Sequence, residues 1–262
     1  MEKFQANPTG AVVVFDSGIG GLNLLCACAA RVPRAHYIYI SDSANVPYGN
    51  RSHEEIRKLT LNALGGIEKF EPSALVVACN TVTAGCIDEL RQIFPFPVVG
   101  IQPAVKQAAA VGGKCLVLAT NATVKSGAFL KLVKKFAPED TAVIGCEELA
   151  AYIEHNVLAL SGELPQCLLP DIKADSVVLG CTHYAFVKEQ LARRYNCPVF
   201  DGIEGTAAHF SEIMGTDDHF CPRAGISDHL SLNEVKITYL GGNSEYNEQI
   251  VKCLFSKNHD SR

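Results

Sequence analysis

The chain has 262 residues, 48% of them hydrophobic and 19% charged, the balance of a globular protein with one large domain or two small ones. A formal net charge of −5 excludes a surface built as a whole to hold nucleic acid or an anionic membrane, both of which repel a negative protein. No apolar run approaches the roughly 20 residues of a membrane span. Eleven cysteines, an odd number, with no signal-peptide core in residues 1–10, predict reduced thiols in a cytoplasmic protein.

A β-branched run at residues 11–15 predicts the first strand. It leads at once into Asp16, Ser17, Gly18, Ile19, Gly20 and Gly21, and a helical pattern covers 22–31. Asn23 stands where a dinucleotide fingerprint needs a third glycine, and no Gly-Lys-Ser/Thr follows, so a nucleotide-binding turn is disfavoured. The glycines are read as letting the backbone approach a small ligand while Asp16 and Ser17 point into a cleft. Cys26 and Cys28, two apart on this helix, face different directions and make no metal site.

A second strand is predicted at 36–40 and a turn at Pro47-Tyr48-Gly49. Ser52 and Glu55 have capping-box spacing for a helix over 53–67. The apolar run 74–78 ends in Cys79-Asn80-Thr81 and a helix follows to about Phe94. Pro95 and Pro97 stop regular structure, and the crossing between two lobes is placed there.

The second series has strands at 97–100, 115–119, 141–144, 176–180 and 198–201, with helices at 104–110, 124–136, 147–160, 186–195 and 205–214 between and after them. The strand 115–119 ends in Thr120, and 176–180 ends in Cys181-Thr182-His183. Residues 217–230 read as an exposed loop, and a strand at 235–240 and a helix at 245–254 finish the chain. Alternation of strand and helix predicts parallel sheets wrapped by helices, with ligands at the carboxyl ends of the strands. Asp16, Cys79, Thr120 and Cys181 all fall at such ends.

Cys79 and Cys181 are about 100 positions apart, roughly one domain length. Each precedes a predicted helix start, where the dipole favours thiolate. Inversion of a carbon centre without a cofactor needs a base on one face and an acid on the other, and one thiolate with one thiol meets that need. Asn80, Thr81, Thr120, Thr123 and Thr182 are candidate donors to the negative charge that develops on a substrate carboxylate. Taken singly, each Thr or Asn is a helix cap and His183 a structural histidine; it is their convergence on strand ends that points to a site.

The stretches Phe15-Asp16-Ser17-Gly18-Ile19-Gly20-Gly21-Leu22, Pro47-Tyr48-Gly49, Ala78-Cys79-Asn80-Thr81, residues 120–126, and Leu179-Gly180-Cys181-Thr182-His183-Tyr184 resemble, in order and spacing, the glutamate racemase family of cofactor-independent amino-acid racemases. The resemblance implies two pseudo-twofold-related, doubly wound α/β domains with parallel-rich sheets and the active site in the cleft between them. Residues 1–97 plus 206–262 would form the first domain and 98–205 the second. It further implies Cys79 and Cys181 as acid/base residues for the D- and L-isomer, assisted by Asp16 and by His183 respectively, with Glu154 near the second thiol.

The same resemblance assigns substrate binding to Ser17, Tyr48, Gly49, Asn80, Thr81, Thr120, Thr123 and Thr182, with Pro47, Asp16, Cys79, Cys181 and His183 at the same site. It implies interconversion of L- and D-glutamate for peptidoglycan synthesis, a homodimer, and no cofactor or metal. The family usually has arginine where Asn45 stands, proline where Ala185 stands, and a proline-rich segment where this chain reads Glu147-Glu148-Leu149-Ala150-Ala151. The first two departures bear on rate and substrate discrimination, and the third on the alignment of Glu154. Four alternatives stay open: a sister racemase acting on aspartate or a hydantoin, a Cys–His transferase or hydrolase that would not need Cys79, a non-catalytic ligand-binding protein of the same fold, and a metal site of Cys79, Cys181 and His183.

Overall fold

The protein is described from a computed structural model covering residues 10–215 and 235–260. The N-terminal extension and the loop expected at 217–230 lie outside the described residues. Strands β1 (Val12–Asp16), β2 (His36–Ser41), β3 (Ala74–Val77), β4 (Val98–Gly100) and β9 (Lys236–Leu240) form one sheet in the order β4-β3-β1-β2-β9. A second sheet has the order β6-β5-β7-β8, from Thr141–Gly145, Cys115–Ala119, Ser176–Gly180 and Val199–Phe200. Every pairing is parallel. Helices are α1 (Leu22–Arg31), α2 (His53–Ala63), α3 (Asn80–Ile93), α4 (Val105–Val111), α5 (Asn121–Lys125), α6 (Gly127–Phe136), α7 (Glu147–Asn156), α8 (Lys188–Tyr195), α9 (Ile203–Ile213) and α10 (Ser244–Asp260).

Because helices cover both faces, the inner strands are apolar along their length rather than alternating. In β1, Val12 and Val14 pack with Leu22, Leu25, Phe210 and Val251 from α1, α9 and α10. Val13 and Phe15 face the opposite way, onto Ile56, Val82, Cys86 and Leu90 from α2 and α3. The second sheet divides alike: Leu118 and Leu179 pack under Leu149 and Leu191 of α7 and α8, and Val117 and Val178 pack under Val105 and Phe129 of α4 and α6.

Several boundaries differ from the sequence expectation for physical reasons. The change of sheet comes after the two prolines, because Leu75, Val76 and Val77 pair with Val98, Val99 and Gly100; β4 therefore belongs to the first sheet. The helix expected over 124–136 is two, broken at Ser126, whose backbone is extended and whose hydroxyl caps α6 at Phe129 N–H. The helix expected over 53–67 has its capping box, yet ends at Ala63 before Gly66, whose φ of +75° leaves the helical region. Residues 157–159 and 182–187 form 3₁₀ turns, so α7 ends earlier and α8 begins later than periodicity alone implies.

Candidate active site

The carboxyl ends of β1, β3, β5 and β7 meet at the seam between the sheets. They bring Ser17, Cys79, Thr120 and Cys181 to the wall of one cavity. Asn80, Thr81, Thr182 and His183 follow from the same strand ends, Pro47, Tyr48 and Gly49 come from the loop after β2, and Glu154 comes from α7. Asp16 and Thr123 stand behind this lining and reach it through neighbours. Sequence reasoning missed Val46, Glu147, Ala150, Ala151 and His155, which also line the cavity; for Glu147 the only signal was the departure from a proline-rich pattern.

Cys79 is the N-cap of α3 and its side chain makes no capping bond, which leaves the thiol free to face Ser17 Oγ at 3.6 Å. Burial, and next the charge of Asp16, push this thiol up to about 12; the Val82 N–H and the Ser17 hydroxyl only partly offset them. The helix start therefore does not yield a resting thiolate at Cys79, contrary to the sequence expectation. Desolvation outweighs the dipole.

Cys181 precedes a 3₁₀ turn, not an α-helix. Its neighbour is His183, with Nδ1 at 3.8 Å from Sγ. The other ring nitrogen, Nε2, lies 2.5 Å from Glu154 Oε2, and both side chains are buried. Burial alone would push His183 down, but Cys181 and Glu154 together hold it well above the usual histidine range. Burial likewise works to raise Glu154, and the His183 bond overcomes it, leaving this carboxyl below its ordinary value. The pair is thus an imidazolium against a carboxylate, and it presents a cation beside Cys181.

Asp16 is fully buried and pushed up to about 6, first by desolvation; His183 and the Gly18 N–H pull the other way. Its Oδ1 accepts Gly18 N–H at 2.9 Å and its Oδ2 accepts the Thr182 hydroxyl at 3.1 Å. Asp16 acts on Cys79 through charge, while Ser17 makes the contact.

Further bonds join the two sheets around the cavity. Thr81 Oγ1 lies 2.9 Å from Thr120 Oγ1, which in turn donates to Thr123 Oγ1 at 2.9 Å. Ala122 N–H donates to Gly49 O at 2.7 Å, and Ile19 N–H donates to Glu154 Oε2 at 3.1 Å. The Tyr48 hydroxyl donates to Asp42 Oδ2 at 2.5 Å, so its polar end is engaged by its own loop. Asn45 also donates to Asp42, at 2.9 Å, and is not among the cavity's lining residues.

Two buried thiols on opposed sheets, one beside a cation and one beside a carboxyl, form a constellation suited to moving a proton across a single carbon. The sequence matches the Asp/Glu/Hydantoin racemase family over residues 23–210. The chain belongs to this racemase family. It is 39% identical over 212 residues to a glutamate racemase of Clostridium acetobutylicum, a match spanning 76% of this chain and 81% of that protein. Its fold is similar to that of the glutamate racemase of Campylobacter jejuni, with a TM-score of 0.73 and 25% identity over 93% of this chain and 97% of that one. It is equally similar to Escherichia coli glutamate racemase in complex with L-glutamate and the activator UDP-MurNAc-ala, with a TM-score of 0.73 and 26% identity over 95% of each chain. For this member of the racemase family the described helices include none long and apolar enough to cross a membrane.

Proposed function

We propose that this chain interconverts L- and D-glutamate by a two-thiol proton transfer without a cofactor. The observation that carries the reading is that Cys79 and Cys181, delivered by strands of different sheets, line one cavity and are 5% and 7% exposed. In the L-to-D direction the Cys181 sulfur, as thiolate paired with the His183 imidazolium, takes the α-proton. The electron pair left on the α-carbon delocalises into the carboxylate, and the Cys79 thiol then gives its proton to the opposite face. Cys79 ends as thiolate and Cys181 as thiol, the state from which D-glutamate is turned over.

The α-proton is weakly acidic, so the developing charge needs donors at the carboxylate. The backbone N–H groups of Tyr48 and Gly49 supply them in this reading, joined by the Thr81, Thr120 and Thr182 hydroxyls as these turn from their Thr120, Thr123 and Asp16 partners to the substrate. Asn80 Oδ1 is buried without a hydrogen-bond partner among the described residues, and an unpaired buried acceptor suits a substrate ammonium. Asp16 would tune Cys79, and Glu154 would hold His183 charged.

The proposal extends to setting. The enzyme would act in the cytoplasm as a homodimer and supply D-glutamate for peptidoglycan. The two sheets would be the cores of two domains, the first formed by 1–97 with 206–262 and extended by β4, the second by the rest of 98–205. The test is proton NMR of L-glutamate with the protein in deuterated water, with chiral analysis and no added cofactor. The expected result is loss of the α-proton signal together with appearance of D-glutamate, and abolition of racemisation by either Cys79→Ser or Cys181→Ser. Turnover that survives Cys79→Ser would sink the two-thiol mechanism, and exchange with aspartate but not glutamate would reassign the substrate.

A further inference from the structure

Glu147 stands at the first helical position of α7, directly after Cys146. Such a residue usually points its carboxylate outward, toward water at the helix start. Here the side chain turns into the cavity and the residue is only 7% exposed. Both carboxylate oxygens are buried, and neither has a hydrogen-bond partner of good geometry among the described residues. The carboxylate lies against Gly49, so closely that a Cβ added to that glycine would overlap Glu147 Oε2.

The free space left beside the two thiols is small, about 30 Å³, and Glu147 takes up part of the cavity that surrounds it. A carboxylate at the Gly49 amide also sits where the proposed function puts a carboxylate of the substrate. A buried carboxylate without well-formed hydrogen bonds is costly in itself, so its placement calls for a role that the fold alone does not give it.

We infer that Glu147 is a specificity-determining residue that occupies the Gly49 end of the substrate pocket and competes with the carboxylate of an acidic amino acid, which binds only where Glu147 has swung out or carries a proton. This inference rests on the reading that the pocket takes such an amino acid.

The surroundings of Glu147 favour the proton more than water does. Burial raises its affinity for a proton, opposed by the backbone N–H groups of Asn121 and Gly49 and by the charge of His183. From the 182–187 turn it faces His183 and Tyr184, from the Tyr48–Gly49 loop the Gly49 backbone, across the cavity Cys79 and Cys181, and along its own helix the cavity is lined by Glu154 and His155. As pH falls, Glu147 takes up a proton and changes from a competitor of the incoming carboxylate into a donor toward it. As pH rises, the conflict of like charges grows. His183 and Asp16 also titrate near this site, so the comparison must be between wild type and a variant that keeps both.

The experiment measures the dissociation constant of L-glutamate by calorimetry, with KM and kcat beside it, for the full chain as wild type, Glu147→Gln and Glu147→Pro between pH 6 and pH 9. Glutamine keeps the shape without the charge, and proline is at home at a first helical position, so one variant covers a folding failure of the other. Both are expected to bind glutamate about tenfold more tightly than wild type at pH 8, the scale of one close like-charge contact in a partly screened site, with the change in KM rather than kcat. The gap should narrow as pH falls. Binding that is unchanged or weaker in both variants, or a gap that does not vary with pH, overturns the inference. Binding that follows the predicted pattern without α-proton exchange would defeat the racemase reading alone. Failure of all three proteins to bind glutamate would overturn the inference, while exchange on another amino acid would preserve the racemase reading.

Discussion

Thr182 Oγ1 donates to Asp16 Oδ2 at 3.1 Å and ties the residue after Cys181 to the carboxyl end of β1. The bond crosses the seam between the sheets, and the acceptor is a fully buried carboxyl held at about 6. Asp16 is therefore both a clasp between the halves and a charge that changes within the physiological range. Its Oδ1 is engaged by Gly18 N–H, and its effect on Cys79 is electrostatic: ionised Asp16 raises the thiol, while protonated Asp16 relieves it.

Stability should consequently fall with pH in a way that Asp16→Asn removes. The native carboxyl keeps its proton to about 6, whereas in the unfolded chain an aspartate releases it near 3.9. Between those values the native state binds more protons, so stability is fully present below the lower value and is lost as pH rises through the upper one. The loss amounts to about 3 kcal/mol. Urea unfolding of both proteins at pH 4.5 and 7.5 should show wild type losing about 2 kcal/mol relative to Asp16→Asn at the higher pH, the rest of the loss having occurred below pH 4.5. Equal differences at the two pH values would mean that Asp16 is not a buried titrating group.

Glu154→Gln should discharge His183. The short bond from His183 Nε2 to Glu154 Oε2 is one of two contacts that hold the imidazole charged against burial, the other being Cys181. With a neutral amide in place of the carboxylate, desolvation gains, and the histidine moves back toward the ordinary value near 6.5. Nitrogen chemical shifts of the imidazole across a pH titration report this directly. Turnover of L-glutamate should fall about a hundredfold, the scale of one acid/base group, since the cation beside Cys181 is lost. A histidine that stays protonated well above neutrality in the variant would show Cys181 to be the dominant partner.

Much of this arrangement was legible in the sequence because parallel strands that end in a functional residue leave a sharp pattern: an apolar run, then a small polar group. The ends of β1, β3, β5 and β7 were all found in this way. The capping box at Ser52 and Glu55 was found because its two bonds are local. What failed depended on contacts between distant segments. Cys79 stands at a helix start, as expected, yet the thiol is high because the opposite sheet and Asp16 enclose it, and no local spacing encodes enclosure. β4 follows two prolines and was assigned to the second lobe, but its partner is β3. Glu147 stood out in the sequence only as part of a departure from a proline-rich segment, and the fold shows it turned inward upon Gly49.

Gly20 gives the last prediction, because its role also differs from the one the sequence suggested. The glycines after β1 were read as making room for a small ligand; in the structure Gly18 and Gly20 make room for the other half of the protein, and Gly21 for Asp16 and Ala78 of its own half. A Cβ on Gly20 would overlap Thr182 Oγ1 and stand 2.7 Å from His183 Nδ1 and 2.9 Å from its backbone nitrogen. These are groups in a packed seam, and the nearest of them hold Asp16 and Cys181. Gly20→Ala should therefore destabilise the chain by about 1–3 kcal/mol, the range for overpacking, and should lower turnover by displacing His183 from Cys181. Gly127→Ala is the control: it lies at the start of α6 with nothing within 4 Å of an added Cβ. It should be neutral or stabilising by up to about 1 kcal/mol, since alanine restricts the unfolded chain. Thermal unfolding and glutamate turnover of the two variants, measured together, separate close approach at the seam from the general effect of replacing a glycine; equal behaviour would show that Gly20 is not a contact point between the halves.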